Sequence, residues 1–298
     1  METEILETRT SPIQNEESSL LSLLQKISMP DEVSDAVILC AKTGEETFPG
    51  VKSLTEHLLI SVRNRDNGAW KIFPEEIFLA TMGCFSRFVK EYHTSYGSYG
   101  YDRAFWTTRQ AEAKLFRIGE LEYELVEESS SLSMHIPSDA RLEAELLNKS
   151  VAAAKDFFRK YYPEVDSDTI LLDSWLLSPA LKELLSPDSR IIRFQNAFDI
   201  DEVDPEPMDF LEWVYQLAGG QIESLTNQDK FERKIADGQL EQQGSNEQLR
   251  HQILNNSTES LWLKSLPENT TLQRNMKKYL MDGGKVGCAK GSLKRIFL

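Results

Sequence analysis

Over roughly the first hundred residues the apolar positions recur every three or four places; beyond them the period falls to two. Leu20–Ser28 and Val33–Cys40 read as helices parted by Pro30, with Asp31 as the expected cap. A further helical segment covers Leu54–Val62. The clearest begins at Pro74-Glu75-Glu76, where proline and acids suit a helix start. It carries Ile77, Phe78, Met82, Phe85, Phe88, Val89 and Tyr92 on one face, until Tyr96-Gly97-Ser98-Tyr99-Gly100 stops it. Residues before about Ser19 read as a polar leader.

Leu121, Tyr123 and Leu125 alternate with Glu122 and Glu124, and Leu132, Met134 and Ile136 alternate with Ser133 and His135. Gly119 and Ser129-Ser130-Ser131 mark hairpin turns. Leu147, Val151, Ala154, Phe158 and Tyr161 then step at helical spacing up to Pro163. A strand (Ile170–Leu177), a short helix (Pro179–Leu185), a second strand (Ile191–Phe198) and a helix (Asp209–Leu217) follow. Gln221–Asn256 reads as an inserted polar segment, and a last helix spans Thr271–Met281 before Gly283-Gly284. The expected class is α+β: a helical domain over 1–98, then a mixed sheet with packed helices over 99–298, the polar insertion lying near 221–260.

Charge narrows the partners. A formal charge of −15 disfavours nucleic acid and favours a cationic small molecule. The cluster Lys277, Lys278, Lys285, Lys290, Lys294 and Arg295 reads as a helix end and a frayed tail. No apolar run approaches the length of a bilayer span. Three widely spaced cysteines, Cys40, Cys84 and Cys288, argue against a disulfide framework, and the N-terminus lacks the features of a secretory signal, so a cytoplasmic location is expected. Neither His nor Cys shows metal-ligand spacing, so no metal site is expected.

Several polar positions are candidates for chemistry. A short turn near Ser129-Ser130 puts Glu124 opposite His135, where a carboxylate orients an imidazole as a base for an ammonium substrate. The plainer reading is a cross-strand pair that satisfies two polar side chains. Glu122 lies on the same face, and two carboxylates spaced by two either activate an amine or decorate a solvated face, the second being the simpler expectation. Asp173 and Ser174 interrupt an apolar strand, which makes them a hydrogen-bonded pair or a site, with Gln195 and Asn196 as neighbours on the next strand. Ser174 lacks the Gly-x-Ser-x-Gly elbow of a serine hydrolase. Trp106, with Arg103, Arg109 and Arg117, lines a pocket or ties a loop to the core.

Five segments in order, Tyr101-Asp102-Arg103, Phe116-Arg117-Ile118-Gly119, His135-Ile136-Pro137-Ser138, Ser174-Trp175-Leu176-Leu177 and Ile192-Arg193-Phe194-Gln195, resemble two-domain acyltransferase-like proteins. Their C-terminal half is related to the N-acetyltransferase (GNAT) superfamily, and the resemblance covers most of the chain. It implies acetyl-CoA or another acyl-CoA as co-substrate and a small-molecule amine as acceptor, with no nucleic-acid or membrane partner. Glu122, Glu124 and His135 then fall to acid–base work. Ile136, Ser138, Ala140 and Arg141 fall to the donor, and Trp106, Ser174, Trp175 and Gln195 to the substrate pocket. The turn Pro137–Arg141 departs from the superfamily by lacking glycine and by carrying Asp139 where phosphate is expected. Ser138 and Arg141 are its compensating groups. A non-catalytic module that keeps the sheet and binds a small ligand or a protein is the alternative.

Overall fold

The computed structural model describes residues 12–126, 130–217, 261–294 and 296–297. The expected polar insertion at Gln221–Asn256 lies outside them, as does Ser129 of the expected hairpin turn. The architecture is α+β, with helices first and then strands carrying packed helices. The chain forms two compact units: residues 1–141 with 149–168, and residues 142–148 with 169–298.

In the first unit α1 (Pro12–Lys26), α2 (Asp31–Thr43), α3 (Val51–Asn67) and α4 (Glu75–Tyr96) build the helical part. Helix α1 begins inside the stretch read as a leader. Asp31 is a first-turn acid rather than a cap, since the capping position is Pro30 and no side chain bonds there. Phe78, Met82, Phe85 and Val89 on one stripe of α4 are all buried, which is why the three-and-four spacing holds. Gly97 ends the helix in the left-handed region at φ +74°, its N–H on the His93 carbonyl at 2.8 Å.

Gly50 has a tighter requirement. It precedes α3 at φ +80°, and a Cβ there would stand 1.8 Å from the Tyr101 carbonyl oxygen. The Tyr101 amide in turn donates to the Pro49 carbonyl at 2.9 Å. The left-handed backbone alone costs an alanine about 1–2 kcal/mol, so Gly50→Ala is expected to lose more than that in urea unfolding.

A helix that the pattern does not predict, α5 (Ala104–Ala111), precedes the meander β1 (Leu115–Ile118), β2 (Leu121–Val126) and β3 (Ser131–His135). All three strands are antiparallel neighbours, and Gly119 turns the first pair at φ +65°. The face bearing Phe116 and Tyr123 lies against α6 (Ala144–Tyr161). Phe116 contacts Phe157 and Phe158 at centroid distances of 4.9 and 5.9 Å, and the Tyr123 hydroxyl reaches Ser150 at 3.0 Å. Strand β4 (Asp166–Ser174) follows β3 in the sheet order, its first residues belonging to this unit.

In the second unit the order is β4-β6-β5, with β5 at Phe198–Asp204 and β6 at Cys288–Leu293. Both pairings are antiparallel. Two expectations fail here. Ile191–Phe198 is not a strand: α8 (Arg190–Gln195) starts on the Ser189 hydroxyl, which accepts from the Ile192 amide at 3.2 Å, and β5 begins only at Phe198. A short apolar run fits helix and strand equally, and the serine cap decides. The basic tail is not frayed either, because Lys290 lies within β6, the middle strand of this unit. Its Cys-Ala-Lys-Gly-Ser-Leu sequence carries no β-branched residue, and Gly291 is there for closeness: a Cβ would lie 2.6 Å from the Asp199 carbonyl oxygen.

Strand β4 ends at Ser174, and Trp175–Leu177 continue as a 3₁₀ turn rather than as strand. Helices α7 (Leu181–Leu184), α9 (Phe210–Tyr215), α10 (Leu261–Ser265) and α11 (Thr271–Met281) share a core around Leu181, Phe210, Leu211 and Met276. Among the described residues no helix is long and apolar enough to cross a membrane.

Candidate active site

The polar face of the meander is not solvated. Helices α4 and α5 cover it, and their arginines meet its carboxylates. Arg87 of α4 bonds Glu122 at 3.0 Å, with side-chain exposures of only 12% and 3%. Arg109 of α5 bonds Glu124 at 2.6 Å. The Thr81 hydroxyl accepts from the Arg117 amide at 2.9 Å, tying α4 to β1 as well. The expectation of a solvated face for Glu122 and Glu124 is therefore corrected: period two reports which side a residue faces, not what covers that side.

The strand register is also shifted from the expected one. Glu122 stands directly opposite His135, and Glu124 opposite Ser133. Glu124 and His135 are diagonal neighbours on one face, and their side chains still meet, His135 Nε2 lying 3.1 Å from Glu124 Oε2. Trp106 sets its ring edge-on to the imidazole at 5.0 Å, and the Arg109 guanidinium lies over Trp106 at 3.7 Å. The indole and guanidinium, one turn apart on α5, thus fix two sides of a Glu–His pair. That pair remains partly open, at 22% exposure for His135 and 19% for Glu124.

Burial pushes the Glu124 carboxyl up, but the His135 hydrogen bond and the Arg109 charge outweigh it, and its pKa falls below the ordinary 4.5. Asp139 is likewise lowered: burial raises it, while the Arg117 hydrogen bond at 2.8 Å and the charges of Arg117 and Arg87 pull it down further. A depressed folded-state pKa stabilises the fold above the unfolded value, and that contribution disappears as pH falls through the folded one. Melting temperature should therefore drop as pH falls below about 4.5, and Glu124→Gln should make that acid limb shallower. A limb of unchanged steepness in the variant would show that Glu124 gains nothing from its two partners.

The turn Pro137–Arg141 follows β3 but does not open a helix, since α6 starts at Ala144. Its anion-binding groups are engaged within the protein. The Ser138 hydroxyl bonds Glu91, and Asp139 pairs with Arg117 and, at 3.5 Å, with Arg87. The Ala140 amide donates to the Pro137 carbonyl at 3.0 Å. Arg141 gives both its amide and its guanidinium to Glu120, at 2.9 and 2.6 Å. These residues do not fit a pyrophosphate as they stand. Burial pushes the Glu91 carboxyl up despite the Ser138 hydrogen bond and the Arg87 charge.

In the second unit Ser174 closes β4, as expected of a residue at a strand end, but its hydroxyl accepts the Leu176 amide at 3.1 Å and so caps the 3₁₀ turn. Gln195 lies on α8 rather than on a neighbouring strand. It is buried, and its amide group donates to the carbonyls of Leu176 and Ser178 at 3.3 and 2.8 Å, while Oε1 is without a partner. Trp175 packs against the helical core of this unit. Burial raises the Asp173 carboxyl against the opposing charge of Lys290, and the charges of Glu202, Asp209 and Asp204 add to the rise.

Residues 70–113 match the N-acyltransferase N-terminal domain, and residues 115–247 match the GNAT-like C-terminal domain. It is a two-domain N-acyltransferase-like protein. The two matches run consecutively, and the Glu–His cluster draws on both, Trp106 and Arg109 from the first and Glu124 and His135 from the second. Among solved structures, this N-acyltransferase-like protein is similar to an acyltransferase crystallised with decanoyl-CoA and teicoplanin, at a TM-score of 0.68 and 19% identity over 92% of this chain and 86% of that one. An acyltransferase mutant crystallised with octanoyl-CoA gives 0.68 and 19% over 93% and 88%. At this identity the likeness is one of fold. No curated protein matches the chain.

In this N-acyltransferase-like protein two residues of the cluster carry more than their sequence positions suggest. Arg109 was a candidate for pocket or tie, and it holds the carboxylate of the Glu–His pair. Arg87 is a second, outside the sequence-based candidates. Its signal was present, because Arg87 and Glu91 continue the buried stripe of Cys84 and Phe88 on α4, where a charged pair needs partners.

Proposed function

We propose that the protein transfers an acyl group from an acyl-CoA thioester to an amine of a small-molecule acceptor. The observation that carries this reading is the partly open His135–Glu124 pair, held by Arg109 and Trp106 beside the strand end that precedes the Pro137–Arg141 turn. Solved acyltransferases of the same fold hold decanoyl-CoA and octanoyl-CoA, and one of them also holds teicoplanin. The charge of −15 favours approach of an ammonium acceptor.

The roles follow from the environments. Arg109 keeps Glu124 ionised, which makes that carboxylate a poor proton acceptor and a good anchor for an imidazole N–H. In the tautomer whose Nε2 donates to Glu124, Nδ1 is the ring's acceptor. His135 is then the base that takes the ammonium proton. Once free, the amine nitrogen attacks the thioester carbonyl; the N–C bond forms, the C–S bond breaks, and the second proton shed by the nitrogen goes to the departing thiolate. Glu122 is assigned to the fold rather than to the reaction, since it is buried against Arg87. Ser174 and Gln195 likewise have structural partners, a turn amide and two carbonyls.

The test is a turnover assay with decanoyl-CoA and a panel of primary amines that includes teicoplanin. Acceptor-dependent release of free thiol, with the acceptor gaining the mass of the acyl group, supports the reading. Saturable thioester binding with no acceptor-dependent release would instead mark a binding module.

A further inference from the structure

We infer that this protein recognises the acyl-pantetheine half of its donor and gives the nucleotide half no grip at the Pro137–Arg141 turn, so that thioesters lacking the nucleotide serve it nearly as well. The inference rests on the acyl-transfer reading above and specifies the donor class.

A pyrophosphate is held by free backbone amides, by a helix N-terminus and by unshared cationic side chains. Between Pro137 and Arg141 these are largely spent. Pro137 has no N–H, the Ala140 amide closes on the Pro137 carbonyl, and the Arg141 amide is taken by the Glu120 carboxylate. No glycine in this turn lets a phosphate approach the backbone. The cations are equally committed. Arg141 carries Glu120, Arg117 carries Asp139, Arg87 carries Glu122, and Arg103 carries Asp102 at 3.4 Å.

The carboxylates themselves add a second argument. Asp139 lies within the turn, and Glu120 is bonded to its last residue, Arg141. A pyrophosphate entering here would meet these like charges, and to reach Arg141 or Arg117 it would first have to displace Glu120 or Asp139. The Ser138 hydroxyl, the other compensating group, already bonds Glu91. Together the residues form a closed latch of internal ion pairs that fastens the turn to α4, to β1 and to the β1–β2 turn. The net charge of −15 opposes a polyphosphate further and leaves the uncharged pantetheine arm unaffected.

Calorimetric titration of the full chain separates the possibilities, with decanoyl-CoA and decanoyl-pantetheine as probes. A single charge-assisted bond to phosphate is worth about tenfold in affinity, which sets the dividing line. Dissociation constants that differ by less than about tenfold are the expected result. Decanoyl-CoA binding tighter by tenfold or more would overturn the inference and leave the acyl-transfer reading standing. Binding of neither thioester would overturn that reading and the inference with it.

Discussion

Replacing His135 by alanine is expected to lower kcat by about 10²–10⁴-fold, the usual contribution of a positioned general base. The loss should fall on kcat with KM little changed, because the imidazole acts on the proton that leaves and not on the bulk of either substrate. Exogenous imidazole should restore part of the rate in His135→Ala, since the cavity opens to a partly exposed site. A merely structural role for the cross-strand pair predicts a lower melting temperature, and no rescue. Glu124→Gln keeps the size and an acceptor but removes the charge that anchors the ring, so its effect on kcat should be smaller than that of His135→Ala. A larger loss in Glu124→Gln than in His135→Ala would assign the proton transfer to the carboxylate instead.

The second large effect concerns stability. Arg87→Met leaves the Glu122 carboxyl buried at 3% exposure without its cation, which costs about 3–5 kcal/mol in urea unfolding. Glu122→Gln should cost less, because Arg87 keeps carboxylates within reach: Asp139 at 3.5 Å and Glu91 at 3.6 Å. Combining the two substitutions should recover part of the Arg87→Met loss, since the stranded carboxyl is then gone. A double variant as unstable as the sum of the singles would show that the two side chains act independently, despite their 3.0 Å contact.

The elements that carry His135 and Glu124 were legible because each depends on local chemistry. Period two over 121–126 and 131–135, a left-handed glycine at 119 and a serine turn suffice to put both residues on one face. Their register was not legible, because the loop alone does not say whether Glu122 or Glu124 stands opposite the histidine. Nor was the layer above them. That α4 and α5 lie on the polar face is a tertiary fact, and only the charged interruption of an apolar stripe at Arg87 and Glu91 hinted at it. Strand β6 escaped for another reason: its small residues are chosen for the approach of β5 and Leu177 at Gly291, and closeness leaves no mark of β propensity.

That strand has a kinetic consequence. Strands β4 and β5 share no ladder of their own; each pairs with β6, whose residues follow their partners by about 85–95 positions for β5 and about 115–120 for β4. Until that late segment arrives, two strands wait with unmatched hydrogen-bonding edges, a state prone to self-association. The first unit's meander closes through short turns and should fold early, while the second depends on a distant closure and should set the overall refolding rate. A chain cut before Cys288 would keep that waiting state permanently, and loss to aggregates rather than loss of affinity would be its signature.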